Sequence, residues 1–307
     1  MKDTLVLIGQ SLAKRQSSKE KVRFINTIAK PLLDSGIPVQ LHRNPNKRIQ
    51  SNNILIGDME HCSLVFLCPY DTGRRMLLPH IAYRPLDSRT NEINEKKNLL
   101  AYAILGAAGI VGIFLASSLM HSSFSNRLIG LIIDAGCAVL LYFALATPSA
   151  SVSMNRNSSS CALVAELSKT SYRHTSFIFT DQCIESNLGY RQVRDWYQKD
   201  ADQRTFVLLD SLSSGKNLYI VSRHKNSFIE NFQKQTDATY VELTDAQAEN
   251  TALGFFRNSI LITSGILKDG QIEVTPSRTN EDYHIDVSRL EHLQAVLAEL
   301  IQAHEAE

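Results

Sequence analysis

Three aspartates each follow a short, β-rich apolar run: Asp71 after SLVFLCPY, Asp181 after TSFIFT and Asp210 at the end of TFVLLD. Carboxylates placed this way converge where strands lie parallel, because ligands of open α/β sheets bind beyond the carboxyl ends of the strands. Convergent carboxylates can hold a metal, take up a proton or pair with a cation. A thiol lies close by at Cys183, with His174 nine residues upstream. Nothing in that spacing brings the two together, and a free cysteine is among the most buried residue types, so an inert thiol is expected. His61, Cys62 and Cys68 put donors close in sequence, but no second pair completes a tetrahedral site, so no metal is expected there. The SGK of LSSGKNLY lacks the spacing of a phosphate loop and reads as a turn between strands. Trp196, in VRDWYQ, reads as helix packing.

The elements that carry these residues alternate. Glu20 to Leu33 has the apolar spacing of a helix, with Pro31 set to bend or end it. IPVQLH, NNILIG and SLVFLC read as strands. Past residue 150 come a helix at 159–167, the strand TSFIFT, a helix at 190–199, the strands TFVLLD and NLYIVS, a helix at 226–235, the strand SILITSG and an amphipathic helix at 287–304. The pattern predicts an α/β fold: a mostly parallel twisted sheet with helices on both faces.

Two apolar stretches interrupt it, Leu99 to Met120 and Leu128 to Thr147, joined by HSSFSNR. Each has the roughly 20 residues a helix needs to cross a bilayer core. Two buried core helices are the competing reading, disfavoured by their length and their lack of an amphipathic pattern. The expected organisation is a first part of the soluble domain over 1–97, a transmembrane hairpin over 98–148 and a second part over 149–307. Arg84, Arg89, Lys96 and Lys97 precede the hairpin, and Arg156, Lys169 and Arg173 follow it. The positive-inside rule then puts the soluble domain and both termini on the cytoplasmic side of the cell membrane. Arg74 and Arg75 read as further charges near the membrane, compatible with anionic lipid. Ala108, Gly112 and Ala116 form a small-residue stripe that fits either a partner's membrane helix or the second span of the same hairpin. Asp134 lies inside the second span, where a carboxylate ordinarily faces a partner or water. An oligomer of hairpins forming a small channel would also use Asp134.

A formal net charge of +1 gives no electrostatic case for nucleic acid. The opening MKDTLVLIGQSLAKR turns charged too soon for a secretory signal, and five cysteines without a CxxC pair fit a reducing compartment.

The order of motifs resembles the zinc aminopeptidase family that also contains the glutaminyl cyclases and the non-catalytic ectodomain of nicastrin. LAKRQSSKEKVRFINTIAKPLLDSGIPVQL is similar to the family's entry helix and strand. NNILIG with SLVFLCPYDT is similar to the two strands before its HxDT metal motif. NRNSSSCALVAELS resembles DNxSGxAxxLELA, and FIFTDQCIESNLGY resembles FxxxDxEExGLxGS. LLDSLSSGKNLYI resembles the strand ending in a metal-binding aspartate, and SRTNEDYHIDVSRL the terminal HTxxDTxxxID segment.

The resemblance implies the fold and also implies that most of the metal chemistry is lost. The first ligand histidine falls on Pro69, the bridging aspartate on Arg156, the glutamate base and its neighbouring ligand on Cys183 and Ile184, and the terminal histidine on Arg278. Asp210 alone keeps a ligand position, and Asp71 keeps that of the supporting acid. Glu185 is the one spare acid nearby, and His284 reads as a surface residue. Arg156 and Arg278 are expected to replace the dication charge and to pair with Asp71, Asp181 or Asp210. The implied protein is a membrane-anchored, cytoplasm-facing pseudopeptidase with no metal and no cofactor. Its vestigial cleft would hold a peptide or protein, and its hairpin would join an integral membrane partner, such as a transporter, or a second copy. The alternative is an active metal-dependent aminopeptidase or cyclase with an atypical site.

Overall fold

Leu64 to Pro69 alternates strictly: Phe66 and Cys68 turn to one apolar layer, Val65 and Leu67 to the other, and all four are buried. A strand covered on both faces must lie inside a sheet sandwiched by helices. The computed structural model has that architecture. It describes every residue except 45–50, 79–80, 120, 122–123, 185, 276, 280–281 and 307. Glu185 and the end of the first expected span, Met120, therefore lie outside the described residues.

Among the described residues nine strands form one sheet: β1 (Val39–Arg43), β2 (Asn52–Ile56), β3 (Leu64–Pro69), β4 (Thr175–Thr180), β5 (Thr205–Asp210), β6 (Asn217–Ser222), β7 (Thr239–Glu242), β8 (Ser259–Lys268) and β9 (Gln271–Glu273). Their order is β1-β2-β4-β3-β5-β8-β6-β7, with β9 on β8. The four central strands, β4, β3, β5 and β8, run parallel. The flanks are less uniform: β2 meets β4, β6 meets β8 and β9 meets β8 antiparallel. The sheet is therefore mixed, and the parallel expectation holds at the centre, where the three aspartates end or follow their strands.

The helices are α1 (Lys2–Val6), α2 (Ser18–Asp34), α3 (Ser88–Leu119), α4 (Phe124–Ala146), α5 (Ser159–Leu167), α6 (Leu188–Tyr197), α7 (Ser227–Gln235), α8 (Asp245–Glu249) and α9 (Val287–Glu305). α2 starts on a capping box between Ser17 and Glu20. It does not end at Pro31 but runs to Asp34, because a proline this close to the end costs only one late hydrogen bond. α2, α5, α7 and α9 pack on one face of the sheet, α6 and α8 on the other. The sequence pattern does not predict α1, β7, α8 and β9; each is five residues or shorter, too short to show a period.

α3 and α4 are both long and apolar enough to cross a bilayer. Their apolar side chains point outward, Phe114 at 72 % and Tyr142 at 74 % exposure, so they are not core helices packed on the sheet. They pack on each other through glycines. A Cβ on Gly112 would stand 2.2 Å from the Cys137 sulfur, and one on Gly109 3.1 Å from the Cys137 carbonyl oxygen.

α3 does not begin where the apolar run begins. It starts at Ser88, where Asp87 accepts the Thr90 N–H at 2.9 Å. Its polar first turns lie against the sheet domain, and the helix continues unbroken into the apolar run. Asn98 clamps the junction, accepting from Leu77 N (2.9 Å) and donating to the Arg75 carbonyl (3.1 Å), which Tyr102 also meets. Arg75 N donates to the Pro148 carbonyl and closes the base of the hairpin.

Candidate functional site

Pro69, Cys183 with Ile184, and Asp210 follow or end three adjacent parallel strands, β3, β4 and β5. With Tyr83, Arg156 and the first turn of α3 they line one cleft of about 340 Å³. Strand direction alone brings these groups together. Of the expected site residues, Pro69, Arg156, Cys183, Ile184 and Asp210 line the cleft, whereas Asp71 lies behind the Cys183–Ile184 backbone and Arg278 lines a neighbouring hollow with Arg156 and Tyr83.

Asp71 accepts the backbone N–H groups of Cys183 and Ile184, both at 3.1 Å, and so fixes the loop after β4. Burial, reinforced by the charge of Asp181, pushes its carboxyl up to about 6. Asp181 is itself paired with Lys21 on α2 at 2.6 Å. It also accepts the N–H of Asn52 at 3.1 Å. Asp210 accepts from the Tyr83 hydroxyl in a short hydrogen bond, and from Ser211 Oγ at 2.8 Å. Burial, then the Asp210 carboxylate, hold the Tyr83 phenol well above its ordinary value, so it stays a donor. Burial, then the charge of Asp71, push the Cys183 thiol well up. That thiol is bonded to Thr180 Oγ1 at 3.3 Å. His174 and Cys183 flank opposite ends of β4, about 20 Å apart at roughly 3.3 Å per residue, so they form no catalytic pair.

Both arginines are buried, Arg156 at 7 % and Arg278 at 3 % exposure. Their expected partners are wrong. Arg278 donates to both oxygens of Glu95, at 2.5 and 3.1 Å, rather than to any of the three aspartates. Gly73 makes room for it, since a Cβ there would fall 1.8 Å from its Nη1. The reason for the error is the early start of α3, which carries Glu95 to the site. Arg156 lies flat over Tyr83, its guanidinium carbon 3.4 Å from the ring centroid, and among the described residues it makes no ion pair or side-chain hydrogen bond.

Asp282, buried in the terminal segment, joins the Arg156 segment to Arg278. It accepts from Asn155 N at 2.7 Å and from Arg278 N at 2.9 Å. Burial pushes its carboxyl up to about 7. His284 is exposed, as expected. His61 pairs with Asp58 at the surface, while Cys62 and Cys68 face opposite layers of the core. The SSGK segment is a turn between β5 and β6, with Gly215 at φ 68°. In the hairpin, Gly112 and the buried Ala116 face α4, whereas Ala108 is exposed and Asp134 half-buried.

No protein-family model matches this chain, and comparison of its sequence with curated proteins gives no match. The backbone matches the aminopeptidase LapA of Legionella pneumophila over 99 % of this chain and 70 % of that one, with TM-score 0.59 and 9 % identity. It matches the glutaminyl cyclase of Porphyromonas gingivalis over 98 % of this chain and 95 % of that one, with TM-score 0.58 and 11 % identity. The fold is the aminopeptidase and glutaminyl cyclase fold. The chain spans about half the length of BSAP, a zinc aminopeptidase from Bacillus subtilis, at 12 % identity and TM-score 0.47.

A zinc pair would need several converging nitrogen and carboxylate donors. Among the described residues no group of three His, Cys, Asp or Glu side chains converges. Pro69 offers no donor, and Asp71 and Asp210 are already committed to N–H and O–H donors. Arg156 adds a cation to the same cleft. These residues do not fit zinc.

Sequence reasoning missed Tyr83, Glu95, Lys21 and the role of Asp282. Lys21 did leave a signal, since it shares a helical stripe with Phe24, Ile25 and Ile28. Tyr83 and Glu95 left none, because only the path between β3 and α3 brings them to the cleft.

Proposed function

We propose that this protein is a membrane-anchored, non-catalytic member of the aminopeptidase-like fold, a pseudopeptidase whose cleft holds a peptide or protein. α3 and α4 are its two membrane spans. The basic residues outside the apolar runs put the soluble domain and both termini on the cytoplasmic side. Its role is that of a binding or scaffolding subunit for a membrane complex, reached through the hairpin by an integral membrane partner or a second copy.

The observation that carries this reading is Arg156 on Tyr83. A guanidinium stacked on a phenol whose hydroxyl is given to Asp210 uses the cleft for cation and hydrogen-bond chemistry, where a hydrolase of this fold would need a dication and a base. The cleft itself persists at about 340 Å³, within the range of small-ligand sites. α3 forms one wall of it, so an occupant would touch the helix that enters the bilayer.

The test is metal content and aminopeptidase turnover on the full chain in detergent, with and without added zinc. Substoichiometric zinc and no turnover are expected. Stoichiometric zinc with turnover removed by a chelator would overturn the reading in favour of an active metal-dependent aminopeptidase or cyclase.

A further inference from the structure

Among the described residues four arginines are buried, and three of them give guanidinium hydrogen bonds to protein acceptors, Arg204 to the Asp200 and Glu60 carbonyls. Arg15 donates to the carbonyls of Ile8, Leu12 and Tyr70 and to Ser158 Oγ. Arg278 closes on Glu95. Arg156 is the exception. Its backbone neighbours are pinned, Asn155 N on Asp282 and Asn157 Oδ1 under Ser211 N at 3.1 Å. One face of its guanidinium lies on Tyr83. Its N–H groups find no acceptor among the described residues, and the residue lines the cleft. Burial works against its charge, but its surroundings, the Asp210, Glu95 and Asp71 carboxylates among them, more than offset this and keep the guanidinium charged. A charged fork held at a cleft wall with its N–H groups unengaged by protein is placed to receive an acceptor from outside.

The acceptor must be an anion that matches a planar fork, a carboxylate or a phosphate. The surroundings decide between them. Asp210, Glu92 and Glu249 line the same cleft against Arg89 and Arg156, so acids outnumber bases. A phosphate dianion would enter a net negative field, whereas a single carboxylate is matched by the Arg156 guanidinium.

Resting on the peptide-binding reading above, the geometry points to Arg156 as the anchor for the free carboxylate of a small ligand, either an amino acid or the C-terminal residue of a peptide. The Tyr83 ring holds the guanidinium flat, so its edge is presented to the ligand without rotamer search. Capture is then by the carboxyl end of the ligand.

Thermal unfolding and calorimetry on the full chain in detergent, at pH 7 and fixed ionic strength, test this with acetate, L-alanine, Ala-Ala-Ala, its C-terminal amide and inorganic phosphate. Acetate is expected to raise the unfolding midpoint saturably and phosphate is not. Ala-Ala-Ala is expected to bind at least tenfold tighter than its amide. Arg156→Met is expected to erase the acid-over-amide preference. Binding of L-alanine as tight as that of the tripeptide identifies an amino acid ligand; binding of the tripeptide alone identifies a chain terminus. Equal binding of acid and amide, tighter binding of phosphate than acetate, no response to any carboxylate, or an acid preference that survives Arg156→Met would each overturn the assignment. The acid-to-amide comparison is made on the wild type and does not depend on the variant folding. Equal binding of acid and amide would leave the peptide-binding reading standing, whereas chelator-sensitive cleavage of Ala-Ala-Ala would remove that reading and leave the carboxylate contact to be judged on its own.

Discussion

Arg278 and Glu95 join the chain's terminal segment to the helix that becomes the first apolar run, with Arg278 buried, Glu95 nearly so and two N–H···O contacts between them. Removing one partner leaves the other charged and desolvated, a loss of roughly 3–5 kcal/mol in buried pairs. Glu95→Gln and Arg278→Met should therefore each lower the unfolding midpoint sharply. Combining Glu95→Gln with Arg278→Met should recover much of the loss. A double variant whose cost equals the sum of the singles would show that the pair is not coupled. Hydrogen exchange over residues 88–98 should rise in the single variants, because the pair ties that segment down.

The glycine stripe of the hairpin faces its own partner helix. Gly112→Leu would drive a side chain into Cys137 and should separate α3 from α4. The expected outcome is a lower unfolding midpoint in detergent with unchanged particle mass by light scattering. Ala108→Leu, on the exposed side, should leave stability unchanged; should it reduce particle mass instead, the exposed side is an oligomer contact.

Cys183 occupies a cleft wall and invites a nucleophile assignment, but its environment argues against one. Burial and the nearby Asp71 carboxylate disfavour the thiolate, and the thiolate is the reactive form. Native protein should show no iodoacetamide adduct at Cys183 at pH 7.5, read by mass spectrometry, and the adduct should appear on unfolding. Rapid native labelling would reopen covalent chemistry at this position.

Much of this architecture is legible in the sequence because it rests on local signals. Short apolar runs mark the central strands, and the aspartates at their ends mark the cleft. The length of two apolar runs marks α3 and α4. What stays hidden is carried by tertiary path alone. The partner of Arg278 cannot be read, since Glu95 lies 183 positions away in sequence and reaches the site only because α3 starts at Ser88. The ring beneath Arg156 comes from Tyr83, in a segment with no period at all. The family resemblance places both arginines among acids, but charge is not directional enough to choose among Asp71, Asp181, Asp210 and Glu95.

Two carboxyls give the fold an unusual response to pH. Asp71 is pushed up to about 6 and Asp282 to about 7, both chiefly by burial, against ordinary values of 3.8. Between about pH 4 and 7 the native state holds protons that the unfolded chain has already released, so stability falls as pH rises through that window. The protonated-state contribution is complete below about pH 4 and gone once the pH passes the folded values. At about 1.4 kcal/mol per pH unit, Asp282 alone should weaken the fold by roughly 4 kcal/mol across the window. Glu166 and Glu305 act in the opposite sense. Their carboxyls are held below the ordinary value despite partial burial, by hydrogen bonds from Lys169 and Thr4 and from Thr175 and the Arg173 and His174 backbone. Their contribution is present above about 4.5 and is lost as pH falls through their folded values. Unfolding midpoints measured from pH 4 to 8 should thus be highest at the acid end, near pH 4 to 4.5, decline to about pH 7 and then level off. Asp282→Asn should flatten the upper part of that decline and Asp71→Asn the lower part. A wild-type midpoint that rises steadily from pH 5 to 8 would mean that neither carboxyl is desolvated as its surroundings indicate.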